Sequence, residues 1–305
     1  MSKQPLIRTL TNELSRRTLL KAAAASATAG IVAACAPPPV ASKAVLGATA
    51  VVNQNVSKAI TSTQAGVPMD NTLNQQDKAT FVLVHGAWHG GWYWKKLVPL
   101  LEAAGHRVFT PTLTGLGERV HLLRSDIDLD THVQDILATL EYEDLQNVVL
   151  VGHSYGGMVL PGVADKAGPR LAHMVYIDAF LPENGKALKD YAPVPPTRDD
   201  GWRVPPPGGP SAFDVTDAGD ITWMTPRLGD QPLKTFTQPS QLSTERNAAL
   251  SSTFIQCTQA PFFAEAGERA KRWGFQYQNL FSAGHDAMVT KPEELSKLLL
   301  EVVRK

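Results

Sequence analysis

The pentapeptide Gly152-His153-Ser154-Tyr155-Gly156 constrains this chain more than any other feature. Just before it stands Val148-Val149-Leu150-Val151, a continuous apolar run that reads as a buried strand. Just after it, Tyr155 to Ala167 reads as a helix. A G-x-S-x-G between strand and helix forces the chain to reverse sharply at the serine, which then takes a strained backbone while its flanking positions need glycine. Such a turn exposes the serine hydroxyl at the carboxyl edge of a sheet and points the positive end of the new helix at any negative charge that develops there. Ser154 is therefore the candidate nucleophile.

The rest of the chain supplies the sheet this turn requires. Phe81-Val82-Leu83-Val84 is a second buried run, His106 to Thr110 a third strand, and Leu171 to Ile177 a fourth. Strands are also expected at Thr253–Cys257 and Gln276–Phe281. Helical spacing predicts helices over 92–104, 129–140, 264–273 and 292–303. Alternating strands and helices imply a mostly parallel, doubly wound sheet covered on both faces, with its site at the carboxyl ends of the strands. Between the strands ending at Ile177 and starting at Thr253 lies a proline-rich stretch. Its interleaved Trp202, Phe213, Trp223 and Met224 need something to pack on. Residues 182–247 are thus expected to form a cap over the catalytic edge, inserted after the strand that ends near Ile177.

Residues 1–34 read as an address rather than a fold. Arg16-Arg17 and Lys21 precede an alanine-rich run that ends in small residues, the layout of an export signal of the twin-arginine type. Val32-Ala33-Ala34-Cys35 has the form of a lipobox, in which Cys35 would carry a lipid anchor; an ordinary cysteine after a signal helix is the alternative. Residues 35–78 are rich in Ala, Pro, Ser, Thr, Asn and Gln and read as a flexible linker. The domain is expected over 79–305, exported to the periplasm or cell envelope. Lys+Arg and Asp+Glu balance at 29 each, which gives no reason to expect nucleic acid as a partner. No stretch reaches the ~18 apolar residues of a membrane span. Two cysteines, Cys35 and Cys257, make neither a disulfide framework nor a zinc site.

A serine needs a base to become nucleophilic. Of the eight histidines, His285 stands in Ala283-Gly284-His285-Asp286-Ala287-Met288, between the last strand and the last helix, at the catalytic edge. His153 is held by the elbow, and His106, His121, His132 and His173 carry no partner motif. The oxyanion that forms on acyl transfer needs two N–H donors. One is expected from Tyr155 and the other from Ala87, in the loop His85-Gly86-Ala87-Trp88-His89-Gly90-Gly91-Trp92. His85 and His89 lack the H-E-x-x-H glutamate and sit in a glycine-rich turn, so no metal is implied.

Three segments carry a family resemblance: FVLVHGAWHGGW (81–92), VGHSYGGM (151–158) and GHDAM (284–288). The chain resembles the plant methyl esterase and hydroxynitrile lyase group of the α/β-hydrolases and its bacterial esterase relatives. The resemblance runs from about Thr80 to the C-terminus and is weak in the cap. It implies the α/β-hydrolase fold and cofactor-free ester hydrolysis, or cyanohydrin cleavage in the lyase branch. The lyases carry threonine where Gly86 stands and lysine where Asp286 stands, which removes the lyase reading. The plant members place their triad aspartate after the penultimate strand, at the position of Ala260 here. Asp178, at the end of the strand that follows the elbow helix, is the expected replacement, with Asp286, Glu265 or no acid at all as the alternatives. The expected activity is hydrolysis of a small hydrophobic or aromatic carboxylic ester, in a pocket lined by Trp88, Tyr155, Trp202, Phe213, Trp223 and Met288. A lactone or C–C bond hydrolase with the same triad, or a non-catalytic ligand-binding homologue, are the other readings.

Overall fold

The computed structural model describes residues 78–243, 250–259 and 261–304. The expected export segment, Cys35, nearly all of the linker, residues 244–249 with the end of the expected cap, and Ala260 lie outside the described residues.

Six strands form one parallel sheet: β1 (Thr80–Val84), β2 (Arg107–Phe109), β3 (Val148–His153), β4 (Leu171–Ile177) and, after the cap-forming stretch, Ser252–Cys257 and Gln276–Leu280. Within the stretch between β4 and Ser252, β5 (Arg203–Val204) and β6 (Gln231–Pro232) make a separate antiparallel ladder, so the last two sheet strands are β7 and β8. The order across the sheet is β2-β1-β3-β4-β7-β8. The chain runs outward from β1 to β2 and then returns to the other side of β1 to lay down β3. That reversal is a topological switch point, and crevices for ligands open there at the carboxyl ends of the strands.

Successive residues of a strand face opposite sides, and each side carries its own apolar layer. Val82, Val84, Leu150, Met174, Tyr176 and Phe254 pack with helices α2 (Leu129–Tyr142) and α3 (Gly156–Ala167). Phe81, Leu83, Val149, Val151, Val175 and Ile255 pack on the other side with α1 (Val98–Ala103) and the C-terminal helix at Pro292–Val303. Burial on both faces is why these strands read as continuous apolar runs. Helix α2 starts where Asp128 accepts the Thr131 N–H at 2.9 Å and Thr131 Oγ1 accepts the Asp128 N–H, a reciprocal cap.

The helix expected over 92–104 is two elements: a 3-10 turn at Gly91–Trp94 and α1, which begins just ahead of Pro99. Proline has no N–H to donate and clashes with the preceding turn, so it starts a helix rather than continuing one. The described part of the proline-rich stretch holds helices α4 (Ala218–Met224) and α5 (Lys234–Thr237) and buried Val204, Phe213, Val215, Met224 and Phe236. Beyond it come α6 (Ala264–Arg272), α7 (Ala287–Thr290) and α8 (Pro292–Val303). No helix among the described residues is long and apolar enough to cross a membrane.

Candidate active site

Seven non-glycine residues take a positive φ among the described residues, and four of them, Trp88, Ser154, Asp178 and Asp214, line one cavity. A left-handed backbone is unfavourable for a residue with a Cβ, and such residues gather where tertiary structure over-determines them, at functional sites. The cavity has a volume of about 340 Å³ and also admits His285 and the Gly86-Ala87 turn. It lies at the switch point, where β1 and β3 end.

Ser154 has φ 51° at the turn from β3 into α3. The turn is tight enough to exclude side chains around it. A Cβ on Gly156 would lie 2.6 Å from the Val84 carbonyl oxygen, and one on Gly157 would lie 2.1 Å from that of Phe180. The Ser154 N–H donates to Ile177 O at 3.3 Å and Phe180 N–H donates back to Ser154 O at 3.1 Å, so the elbow is sewn to the end of β4.

That stitching brings Asp178, φ 40°, beside the nucleophile strand. His285 Nδ1 donates to Asp178 Oδ2 at 2.7 Å. With its proton on Nδ1, His285 keeps the Nε2 lone pair. Two donors hold the other carboxylate oxygen: Gln256 Nε2 reaches Oδ1 at 2.8 Å and Cys257 N–H reaches it at 3.3 Å. Burial pushes the Asp178 carboxyl above its ordinary range, while the His285 hydrogen bond and charge and the Cys257 N–H pull it down. For His285, burial disfavours the imidazolium, but the Asp178 hydrogen bond and the charges of Asp178, Asp286 and Asp214 outweigh it and hold its pKa above the ordinary value. The imidazole stacks with Phe263 at 5.2 Å and with Phe213 at 6.3 Å.

The loop that carries Ala87 is fixed from below. The Gly86 carbonyl can only accept, which assigns the proton on His85 to Nδ1, 2.8 Å away; His85 Nε2 then accepts from Leu113 N–H at 3.0 Å. Burial lowers the His85 pKa to about 3, so the ring is neutral. Gly86 N–H donates to the Tyr93 hydroxyl, and His153 Nε2 donates to His285 O at 3.0 Å, which leaves His153 Nδ1 to accept from Tyr93 O–H at 2.7 Å. Tyr93 and His153 thereby brace the Gly86 turn against the His285 loop. Ala87 and Tyr155 both border the cavity with Ser154. No acceptor for the N–H of either appears among the backbone hydrogen bonds between loops, turns and caps of the described residues.

The other carboxylates weighed as triad acids lie elsewhere. Asp286 is buried, with His89 Nε2 3.2 Å from its Oδ2, and it is Asp178 that holds His285 Nδ1. The Glu265 side chain is 87% exposed and approaches Arg269. His153, His285 and Asp286 bring donor atoms within 4.8 Å of one another, but both ring nitrogens of His153 are engaged and Asp178 occupies Nδ1 of His285. That donor set does not suit a metal ion.

Of the expected pocket residues, Trp88, Tyr155 and Phe213 line the cavity and three do not. Met288, on α7, is buried in the layer beneath the sheet, because its short helix turns that face toward Leu295 and Leu299. Trp223 packs edge-on against Trp92 at 5.2 Å. Trp202 lies under the Arg203 guanidinium, 5.8 Å from its ring. Phe180, Phe236, Phe262 and Phe263 supply the aromatic wall instead. Sequence reasoning also missed Gln256 and Asp214. Gln256 sits in a strand where alternation alone marks it as inward, and Asp214 lies in a loop with no motif.

The cap is latched to this site. Trp88 Nε1 donates to Val204 O at 3.0 Å, Trp88 N–H to Gln231 Oε1 at 3.1 Å, and Asp286 N–H to Phe213 O at 3.2 Å.

Residues 81–298 match the profile described as "Alpha/beta hydrolase family". The chain is 39% identical over 241 residues to a carbendazim hydrolyzing esterase of Nocardioides sp. (strain SG-4G), covering 72% of this chain and 98% of that protein. It is 28% identical over 261 residues to salicylic acid-binding protein 2 of Nicotiana tabacum, covering 74% of this chain and 97% of that one. Among solved structures, a methylesterase from Arabidopsis superposes with a TM-score of 0.61 at 26% identity, covering 74% of this chain and 99% of that one. An extracellular hydrolase from a Paenibacillus species gives 0.63 at 19% identity, covering 74% of this chain and all of that one, a likeness of fold alone.

Proposed function

The chain belongs to the alpha/beta hydrolase family and is an esterase, and we propose that Ser154, His285 and Asp178 are its catalytic triad, acting on a small hydrophobic or aromatic carboxylic ester. The observation that carries this reading is the 2.7 Å contact of Asp178 Oδ2 with His285 Nδ1, in a cavity that Ser154 also lines. With Nδ1–H committed to Asp178, Nε2 takes the Ser154 proton as Oγ attacks the ester carbonyl. The N–H groups of Ala87 and Tyr155 hold the oxyanion. His285 then protonates the departing alcohol, and water repeats the sequence on the acyl-enzyme. Asp178 fixes the tautomer and stabilises the imidazolium; it does not take the proton.

The substrate class rests on the lining. The wall is aromatic and aliphatic, and a volume of about 340 Å³ suits a small molecule. Hydrolysis of p-nitrophenyl esters of increasing acyl length, by the full chain and by Ser154→Ala, tests the reading. Turnover that disappears in Ser154→Ala supports it, and turnover that survives refutes it. Export to the periplasm or cell envelope belongs to the same proposal and rests on Arg16-Arg17 and the alanine-rich run to Ala34. Activity retained in the cytosolic fraction after Arg16→Lys/Arg17→Lys, against envelope activity for the native chain, is the expected outcome. Metabolic labelling with palmitate, lost in Cys35→Ala, tests the lipid anchor.

A further inference from the structure

We propose that Asp214 is a specificity-determining residue that admits esters uncharged or cationic near the scissile bond and turns anionic ones away. The inference rests on the esterase reading and deepens it.

Asp214 is brought to the site by three independent features. Its backbone is left-handed, with φ 63°, directly after the 3-10 turn Pro210–Phe213. Its Oδ2 accepts the His285 N–H at 3.0 Å. Gly284 makes the approach possible, since a Cβ there would lie 2.2 Å from Asp214 Cβ. The cap thus presents a carboxylate on the wall of the cavity that holds Ser154 and His285.

No lysine or arginine lines the cavity among the described residues. His153, which does line it, is held neutral by burial, which drives its pKa well below the ordinary value. Asp178 brings a second negative charge, already matched to His285. One backbone N–H is a hydrogen bond to a carboxylate and leaves its charge in place. A carboxylate on the acyl or alcohol group therefore meets like charge in a confined, mostly apolar space, where repulsion is screened far less than in water.

The same charge acts on the product. In deacylation the water oxygen bonds to the acyl carbon and the bond from that carbon to Ser154 Oγ breaks. His285, which accepted a proton from the water, returns it to Oγ. The free acid then ionises to solvent, and its anion faces Asp214. Release is favoured, and carboxylate products are poor inhibitors.

The test compares kcat/KM for methyl butyrate with that for monomethyl succinate, a near match in size that adds one negative charge. The full chain and Asp214→Asn are used. Asparagine keeps an acceptor for the His285 N–H and removes the charge, and any change at His285 divides out of the ratio. The native chain is expected to favour the neutral ester by about a hundredfold, and Asp214→Asn to narrow that ratio at least about tenfold. Butyrate is expected to inhibit Asp214→Asn at a concentration about tenfold lower than the native chain. A measurement free of any variant compares monomethyl with dimethyl succinate on the native chain, where the neutral diester is expected to be preferred. An unchanged ratio in Asp214→Asn, or a native chain that turns over monomethyl and dimethyl succinate alike, overturns the charge selection while Ser154-dependent turnover leaves the esterase reading standing. Methyl ester turnover that persists in Ser154→Ala overturns both.

Discussion

Replacing Asp178 by asparagine changes one atom, yet the surroundings dictate which way the new amide points. The oxygen that becomes Oδ1 of the aspartate sits against Gln256 Nε2 at 2.8 Å and Cys257 N–H at 3.3 Å, and both groups only donate. An amide nitrogen placed there would leave two buried donors facing a third, at a cost of about 1–3 kcal/mol for each unmet group. The asparagine therefore turns its carbonyl to Gln256 and Cys257 and its NH2 to His285 Nδ1. Nδ1 must then accept, the imidazole proton moves to Nε2, and Ser154 loses its base. A wrong tautomer of this kind lowers kcat by about 10⁴, or about 5 kcal/mol of transition-state stabilisation. The assay is steady-state p-nitrophenyl ester hydrolysis by the full chain, with a thermal melt to verify that Asp178→Asn is folded. A folded variant within about tenfold of native kcat would falsify the tautomer argument and remove Asp178 from the triad.

Three further outcomes follow from the same geometry. Asp286→Asn is expected to stay within about tenfold of native kcat, because Asp286 faces His89 rather than His285 Nδ1; a loss as large as that of Asp178→Asn would exchange their roles. The base must be unprotonated and His285 is held above the ordinary 6.5, so kcat/KM should rise through an acid limb whose midpoint lies above pH 6.5. Removing the Asp214 charge in Asp214→Asn should move that limb to lower pH, and a pH–rate profile that moves upward or not at all contradicts the assignment. Burial holds His85 down to about 3 and His132 to about 4, below the ordinary 6.5. The unfolded chain therefore takes up these protons first, so their contribution is complete above pH 6.5 and is lost as pH falls from there toward 4 and 3. Unfolding free energies from denaturant titrations should decline across that window by several kcal/mol in total (about 1.4 kcal/mol for each pH unit and proton), and a flat response refutes the neutral, buried assignment.

Local chemistry explains why so much of the scaffold is legible along the chain. Strands buried on both faces must be apolar throughout, so Val148–Val151 and Phe81–Val84 announce themselves without any alignment. The turn at Ser154 requires glycines at fixed offsets because a Cβ would strike the Val84 and Phe180 carbonyls. The break ahead of Pro99 was equally local, and apolar spacing hid it: periodicity reports which face is buried, not whether every N–H is present to continue a helix.

The pocket wall was not legible, for a different reason. Trp202, Trp223 and Met288 are as large and apolar as Phe236 and Phe263, and composition cannot say which of two apolar surfaces a residue will choose. Met288 joined the layer under the sheet and Trp223 packed on Trp92, while Phe236 and Phe263 turned to the cavity.

By itself the sequence determined the alternation of strands and helices, the elbow at Ser154 and the late histidine loop, because each rests on contacts within a few residues. The family pattern pointed to Asp178 but left Asp286 and Glu265 open, and only tertiary structure sets which carboxylate meets His285. Asp178, Asp286 and Asp214 all approach that residue, separated from one another along the chain by a sheet crossing or by the cap. Only the parallel pairing of β4 between β3 and β7 sets Asp178 at 2.7 Å from Nδ1, leaves Asp286 to His89, and lets the cap bring Asp214 to the backbone of the same histidine.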